Sequence, residues 1–324
     1  MDDLATRPLV PSDVPGWAAL LRDAEAMDAT GRHLSAADLA EELGHDDLET
    51  FAVLDGDRLL AVGTVLPRGE TEGELTVEVA ATVAPAHRGR GIGTALTRRL
   101  VDRSLQLAAE RRPDLPARVN GAARAGDTAQ EGVLTAVGMR PGRSTLLMRT
   151  SLAHPAPVPP LPAGYRVRGY DAPLDEPLRQ AHNLAFGGHH PGFTPWAADV
   201  WREWVTGSRS FRGDASFVAL AGERIAGYVV THEHDGHTAA TGRREAHVAR
   251  VGTLPEHRGR GLAGALLGHT LHACAAAGYH EASLHVDAEN PTGALGVYRR
   301  AGFEPAATWT SYALRVASTT TSAR

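Results

Sequence analysis

Apolar residues recur at helical spacing over residues 12–30, where Trp17, Leu20, Leu21 and Ala24 share one face and Ser12 stands as the N-cap. A second helix is expected after Ser35. Residues 51–54 and 59–66 read as strands joined by a turn at Asp55-Gly56-Asp57, and residues 75–83 alternate as a third strand. A glycine-rich loop and a helix over 92–109 follow. The second half runs in the same order. It opens with a short strand at 165–168, helices over 175–186 and 195–206, and a hairpin of 217–221 with 225–232. A strand at 245–253, a loop at 254–261 and a helix over 262–277 come next. Strand 281–287, helix 291–301 and strand 309–315 close the chain. Helices alternating with strands and hairpins predict an α/β fold with a mixed sheet in each half.

The halves also share sequence. Residues 85–96 read PAHRGRGIGTAL and residues 255–266 read PEHRGRGLAGAL, identical at 8 of 12 positions and offset by 170 residues. A repeat of that length is a duplicated domain rather than a solenoid period. The five prolines of residues 151–164 mark an extended linker. The expected organisation is a first domain at 1–150, the linker at 151–164, a second domain at 165–316 and a tail at 317–324.

Composition narrows the class. The 324 residues are 43% hydrophobic and 22% charged, ordinary for globular protein, and the formal charge of −5 argues against a basic nucleic-acid-binding surface. One cysteine, Cys274, leaves no disulfide framework and no cysteine-rich zinc site. All 33 basic residues are arginine, so a lysine-bearing phosphate loop and Schiff-base chemistry are excluded. No apolar run reaches the roughly 18 residues of a membrane span. The start MDDLATRPLV has no apolar stretch, so no signal peptide is read there. Cytoplasmic residence, no membrane and no nucleic-acid partner are the expectations.

Each repeated loop lies between a strand and a helix. Glycines there let backbone N–H groups approach an anion at the positive end of the helix dipole, and Arg88 and Arg258 offer charge to a phosphate. The loop predicts a pyrophosphate-bearing ligand. The spacing Arg-x-x-Gly-x-Gly/Ala, carried by Arg88, Gly91 and Gly93 and by Arg258, Gly261 and Ala263, resembles the GNAT superfamily of acyl-coenzyme A N-acyltransferases. The tandem layout is similar to the mycothiol synthase group. The resemblance implies two tandem GNAT-like domains with acetyl-CoA as co-substrate and no metal. It implies that Val251, Gly252 and Thr253 give backbone groups to the pantetheine and acyl carbonyl. Arg258, Gly259, Arg260, Gly261, Leu262, Ala263 and Gly264 would hold the pyrophosphate, as would Arg88, Gly89, Arg90, Gly91 and Gly93 in the first copy.

Residues 289–304, ENPTGALGVYRRAGFE, resemble the family's asparagine–tyrosine–Gly-Phe segment. Asn290 would cap a helix beside the pantetheine arm. Tyr298, eight residues on, would share its face and protonate the departing thiolate. The first domain departs from the pattern, with Leu134 opposite Tyr298 and Gly126 opposite Asn290, and so reads as catalytically degenerate. Where the family often has a glutamate base, this chain has His247, eleven residues before Arg258; Glu245 is the neighbouring candidate, and Val77 is the first-domain counterpart. Strict alternation would put Glu245, His247, Ala249 and Val251 on one face.

The histidines at 182, 189 and 190, and at 232, 234 and 237, match no helix-borne zinc spacing and read as polar loop residues. Phe193, Trp196, Trp201 and Trp204 are candidates to line the acceptor site, and Asp235-Gly236 reads as a long turn. The expected function is direct acetyl transfer to a primary amine of a small molecule, with no acyl-enzyme, by a monomer or weak homodimer. The alternatives are a non-catalytic acyl-CoA-binding regulator, or transfer to a peptide or protein amine.

Overall fold

The computed structural model describes residues 5–187, 193–289 and 293–318. The first half begins with strand β1 (Ala5–Arg7) and helices α1 (Val14–Asp28) and α2 (Ala36–Leu43). Helix α1 starts one residue after Asp13, not Ser12. Asp13 accepts a hydrogen bond from the Val10 amide at 2.8 Å and pairs with Arg7 at 2.6 Å. Helix α2 starts as read: Ser35 and Asp38 form a reciprocal capping box. Strands β2 (Glu49–Asp55), β3 (Arg58–Thr71) and β4 (Glu74–Val83) form an antiparallel meander. Helix α3 (Ile92–Arg111) leads to β5 (Ala117–Arg124), which pairs parallel with β4. Helix α4 (Thr128–Ala136) and β6 (Arg140–Ser151) end the first repeat.

The second repeat follows the same plan. It runs β7 (Tyr165–Gly169), α5 (Asp175–Phe186), α6 (Ala198–Trp201), β8 (Phe217–Ala221), β9 (Arg224–His232) and α7 (Asp235–Thr241). Then come β10 (Glu245–Thr253), α8 (Leu262–Ala276), β11 (Glu281–Asp287), α9 (Ala294–Arg300) and β12 (Glu304–Val316). Besides the later start of α9 and the earlier start of β12, two segments differ from expectation. The helix read over 195–206 is one short turn, α6, continuing into a π-helical stretch, Arg202–Thr206. The turn read at Asp235-Gly236 is the start of α7.

The repeats exchange their last strands. One compact unit holds the residues up to Ser144 together with those from Thr308 onward; the other is Thr145–Ala307. In the first, β12 lies antiparallel to β5, with Trp309–Val316 opposite Arg124–Ala117. In the second, Thr145–Ser151 of β6 lies antiparallel to β11. Duplicated domains present the same open sheet edge, so the last strand of either repeat fits either edge, the logic of a domain swap. A cut at the proline-rich segment therefore does not divide the compact units. That segment has no regular structure, as its prolines predict, but it packs: Val158 and Pro159 lie against Gly268 of α8.

Each sheet is covered on both faces. In the second unit, α8 and α9 cover one face through Leu266, Leu271, Tyr298 and Phe303, packed on Val229, Val248 and Leu284. Helix α5, Trp201 and Val205 cover the other face, against Tyr228 and Val230. In the first unit, Leu96 and Leu100 of α3 pack on one core, and Trp17, Leu20 and Leu39 of α1 and α2 on another.

Candidate active site

The repeated loop folds into the same cradle in both units. Gly259 and Gly261 take φ of 72° and 81°, and Gly89 and Gly91 take 74° and 79°, the left-handed region in which a side chain is disfavoured. Gly261 and Gly91 are the N-caps of α8 and α3. The first four N–H groups of a helix lack intrahelical acceptors, so the amides of Leu262, Ala263 and Gly264 face outward from the cradle. Nothing lies within 4 Å of where a Cβ would stand at Gly259, Gly261 or Gly264. The Thr253 hydroxyl beside the cradle is buried with no hydrogen-bond partner among the described residues. An open amide nest with an orphaned hydroxyl suits a pyrophosphate and the arm that carries it.

The arginine side chains of the loop also bond within the protein. Arg258 Nε donates to the Thr253 carbonyl at 3.1 Å and Nη2 to the Ala185 carbonyl at 2.7 Å. Arg88 Nε donates likewise to Val83 at 3.1 Å, and its two Nη atoms hold the Asp28 carboxylate. Both guanidinium groups clamp the loop to the strand before it. Arg260 and Arg90 are exposed and return to the carbonyls of Glu256 and Ala86.

Strands β10 and β11 pair in parallel only at Glu245–His247 opposite Glu281–Ser283. Beyond His247 they splay, while β10 stays paired with β9 as far as Thr253. The β11-facing edge of Val251, Gly252 and Thr253 is thus left outside the ladder, next to the cradle. A β-bulge between Val248 and Arg250 breaks the alternation. Val251 does not share a face with His247, as strict alternation would have it. Val251 turns to the α8 side, and Arg250 joins His247 on the opposite face. There its guanidinium lies 4.8 Å from the Trp196 ring centroid and 5.9 Å from that of Trp201.

That face carries the candidate chemistry. His247 Nδ1 is 2.9 Å from Ser283 Oγ, and its ring lies 5.4 Å from His285 and 6.4 Å from His234. His247 is depressed well below the ordinary imidazole value of 6.5, chiefly by burial and then by His285, His234, His232 and Arg250. It keeps some exposed surface, but its ring sits deep, and depth sets the desolvation. Glu245 does not stand free beside it. Its carboxylate is 3.3 Å from Arg149 and 3.9 Å from His237, at the paired end of the strands. His237 bridges onward to Glu281 at 3.0 Å, and Glu281 binds Arg243 at 2.9 Å. His237, Glu245 and Glu281 converge closely enough to suit a metal ion, but both carboxylates already face arginines.

Tyr298 sits midway along α9, 9% exposed, and burial pushes its hydroxyl up to about 12. It lies within electrostatic reach of Tyr228, whose own value burial raises further. Tyr228 is fully buried, bonds His182 Nδ1 at 2.7 Å and covers Gly252 of the neighbouring strand. A Cβ at Gly252 would stand 2.3 Å from the Tyr228 ring. Gly252→Ala is therefore expected to cost about 1–3 kcal/mol of stability by overpacking, read as a lower urea midpoint.

Asn290 lies outside the described residues, as do His189 and His190; helix α9 starts at Ala294 after Gly293, not at 291. The remaining histidines correct the reading of polar loop residues. His182, His232 and His237 are buried and bonded to Tyr228, Ser210 and Glu281 respectively. Hydrophobic periodicity gives no sign of this, because the bonds join distant segments. Phe193 and Trp196 meet His182 edge-on and Trp201 lies tilted against it, and Trp204 packs on the same core. Cys274 is completely buried, and burial pushes its thiol up to about 12, so it offers no thiolate. In the first unit Val77 and Leu134 stand where the second has His247 and Tyr298, and both are core residues.

The buried histidines set an acid limit on stability. Burial lowers His232 to about 3, and His247 also falls below 6.5. Between those values and 6.5 the unfolded chain binds more protons than the folded one, so stability falls as pH drops below about 6.5. The expected result is a melting midpoint level above neutral pH and declining by several degrees between pH 6.5 and 4.5. His232→Gln should flatten the slope.

In each unit a parallel strand pair that splays, followed by a glycine nest at the start of the next helix, defines an acyltransferase fold. The Acetyltransferase (GNAT) family matches residues 17–124 and 176–303. A mycothiol acetyltransferase of Tsukamurella paurometabola is 32% identical, over 88% of this chain and 90% of that one. The mycothiol acetyltransferase of Nocardia farcinica is 31% identical over 92% and 96%. Among solved structures, a GCN5-related N-acetyltransferase from Sphaerobacter thermophilus superposes with a TM-score of 0.78 at 25% identity, covering 98% and 97%. A tandem GNAT protein from the clavulanic acid biosynthesis pathway shares the fold, with a TM-score of 0.73, 19% identity and coverage of 97% and 98%. The chain belongs to the GNAT family and is an acyl-CoA-dependent N-acetyltransferase. Among the described residues no helix is long and apolar enough to cross a membrane.

Proposed function

We propose that the second unit transfers an acetyl group from acetyl-CoA to a primary amine of a small molecule, by direct attack. The observation that carries this reading is the open amide nest beside the unpaired edge of Val251–Thr253, in the unit that also holds His247 and the buried, un-ionised Tyr298. Acetyl-CoA supplies the thioester. The amides of residues 259–264 hold its pyrophosphate, and the free edge of Val251–Thr253 holds its arm. With Nδ1–H given to Ser283, Nε2 of His247 carries the lone pair that receives the amine proton. A backbone N–H of the splayed edge polarises the carbonyl, and the Tyr298 hydroxyl gives its proton to the leaving thiolate. The buried, un-ionised Cys274 supports transfer without an acyl-enzyme.

The first unit keeps the nest but has Val77 and Leu134 in place of base and acid, which supports assigning the chemistry to the second. The relatives' names support a small-molecule acceptor, and mycothiol-type amines belong at the head of any panel.

The test has two arms. Calorimetric titration with acetyl-CoA reads stoichiometry: one site assigns the donor to the second unit, two give the first unit a ligand without chemistry, and none overturns the reading. Incubation with acetyl-CoA and a panel of amino sugars, polyamines, cysteine amides and short peptides, followed by thiol release and mass spectrometry, reads the acceptor. Acetylation of the peptides alone would move the function to peptide amines.

A further inference from the structure

Among the described residues, the buried polar atoms without a hydrogen-bond partner near the acceptor face include one with no role in the scheme above: Nε2 of His232. The residue is 6% exposed and ends β9. It stands opposite His247 in the β9–β10 register. Antiparallel register partners project side chains to the same face, with Cβ atoms about 5 Å apart. Its Nδ1 is fixed 2.7 Å from Ser210 Oγ, which holds the ring in one orientation. The edge of Phe211 closes the ring in on another side, 6.1 Å between centroids. Nε2 is buried and has no hydrogen-bond partner among the described residues. A buried nitrogen left unpaired is costly, and one on the face beside His247 is placed to be completed by the acceptor.

We infer that His232 is an acceptor-positioning residue: its Nε2 receives a hydrogen bond from the second N–H of the primary amine whose first proton goes to His247. The inference rests on the amine reading above and extends it to the substrate class. A neutral amine attacks through its lone pair and has two N–H groups left to anchor, and the face offers two imidazoles to anchor them. Burial first, and then the positive charge of Arg250, His234 and Arg212, disfavour a cation on this ring. Neutral His232 accepts at Nε2 when Nδ1–H is donated to Ser210. A secondary amine can satisfy only one imidazole, so the site selects primary amines.

Paired substitutions separate this role from a structural one. Asparagine reproduces the Nδ1 side of the ring and the bond to Ser210; glutamine reproduces the distal Nε2 side. The assay is steady-state acetylation of the best amine of the panel and of its N-methyl derivative. His232→Asn is expected to raise the acceptor KM at least tenfold, with the acetyl-CoA KM unchanged. His232→Gln is expected to recover most of that loss. The wild type should prefer the primary amine to its N-methyl derivative by at least tenfold, and His232→Asn should narrow the gap. Rescue by asparagine but not glutamine would assign His232 to structure alone and overturn the inference, as would an unchanged acceptor KM in both variants. A wild type that acetylates none of the amines overturns the amine reading and the inference with it, a result distinct from a failure of the variants.

Discussion

Tyr298→Phe is expected to lower kcat by about a hundredfold or more, the range typical of losing a positioned general acid, with little change in the acetyl-CoA KM. The ring is packed in the core beneath α8 and faces Phe303 at 6.2 Å, so phenylalanine fills the same space. Only the O–H is lost. That hydroxyl has no hydrogen-bond partner among the described residues, so its removal leaves no buried atom newly unsatisfied and the melting midpoint should hold. The acid is needed in its neutral form, which exists below its own pKa. With that value pushed up to about 12, Tyr298 remains a proton donor throughout the working range. Any loss of activity near pH 9 must therefore come from another group and should persist in the variant. A Tyr298→Phe enzyme with wild-type kcat at saturating acceptor would remove the tyrosine from thiolate protonation.

The secondary structure was largely legible because it is written locally. Strands β8, β10 and β11 and helix α5 run where periodicity put them, and Ser35 caps α2 by contacts only three residues apart. The strand exchange was not. β6 and β12 are both long strands that close a repeat, and no local feature tells which of two equivalent edges each will join. That choice is made by pairing over more than a hundred residues, Trp309 with Arg124 and Glu281 with Ser151.

The site divides in the same way. The glycine nest was readable because a strand–Gly-x-Gly–helix run fixes its own geometry, and both copies adopt nearly the same φ. The arginines' contacts within the protein were not legible, because their acceptors, Thr253 and Ala185 for Arg258 and Val83 and Asp28 for Arg88, are set by the fold and not by the loop's own sequence. The bulge at Val248/Arg250 is a single unpaired residue with no sequence mark of its own, yet it sends Val251 to one face and Arg250 to the other. Glu245 looked equivalent to His247 by alternation. Arg149, from the exchanged strand β6, and His237, from α7, engage it, and neither was foreseeable as its neighbour. His232 was missed because its partners, Ser210 and His247, are remote in sequence; a polar residue ending an otherwise apolar strand, YVVTH, was the only signal.

The base is where sequence and family pattern disagree most, and its removal is the second large expected effect. His247→Gln should lower kcat/KM at pH 7 by about a hundredfold, in the range of general-base loss. Glutamine can keep a contact with Ser283 but cannot take a proton. The pH profile discriminates further. The competent form is the neutral imidazole, present above the folded-state pKa. Burial and the neighbouring His285, His234, His232 and Arg250 hold that value below 6.5. Wild-type kcat/KM should therefore stay level as pH falls from 7 to 6.5 and decline only below, whereas an unperturbed histidine would already be half-protonated at 6.5. In His247→Gln this acid limb should vanish from the residual activity. His247→Glu restores a carboxylate in a deep site, where burial raises its pKa, so partial rescue should grow with rising pH. Equal acid limbs in wild type and His247→Gln would place the base elsewhere.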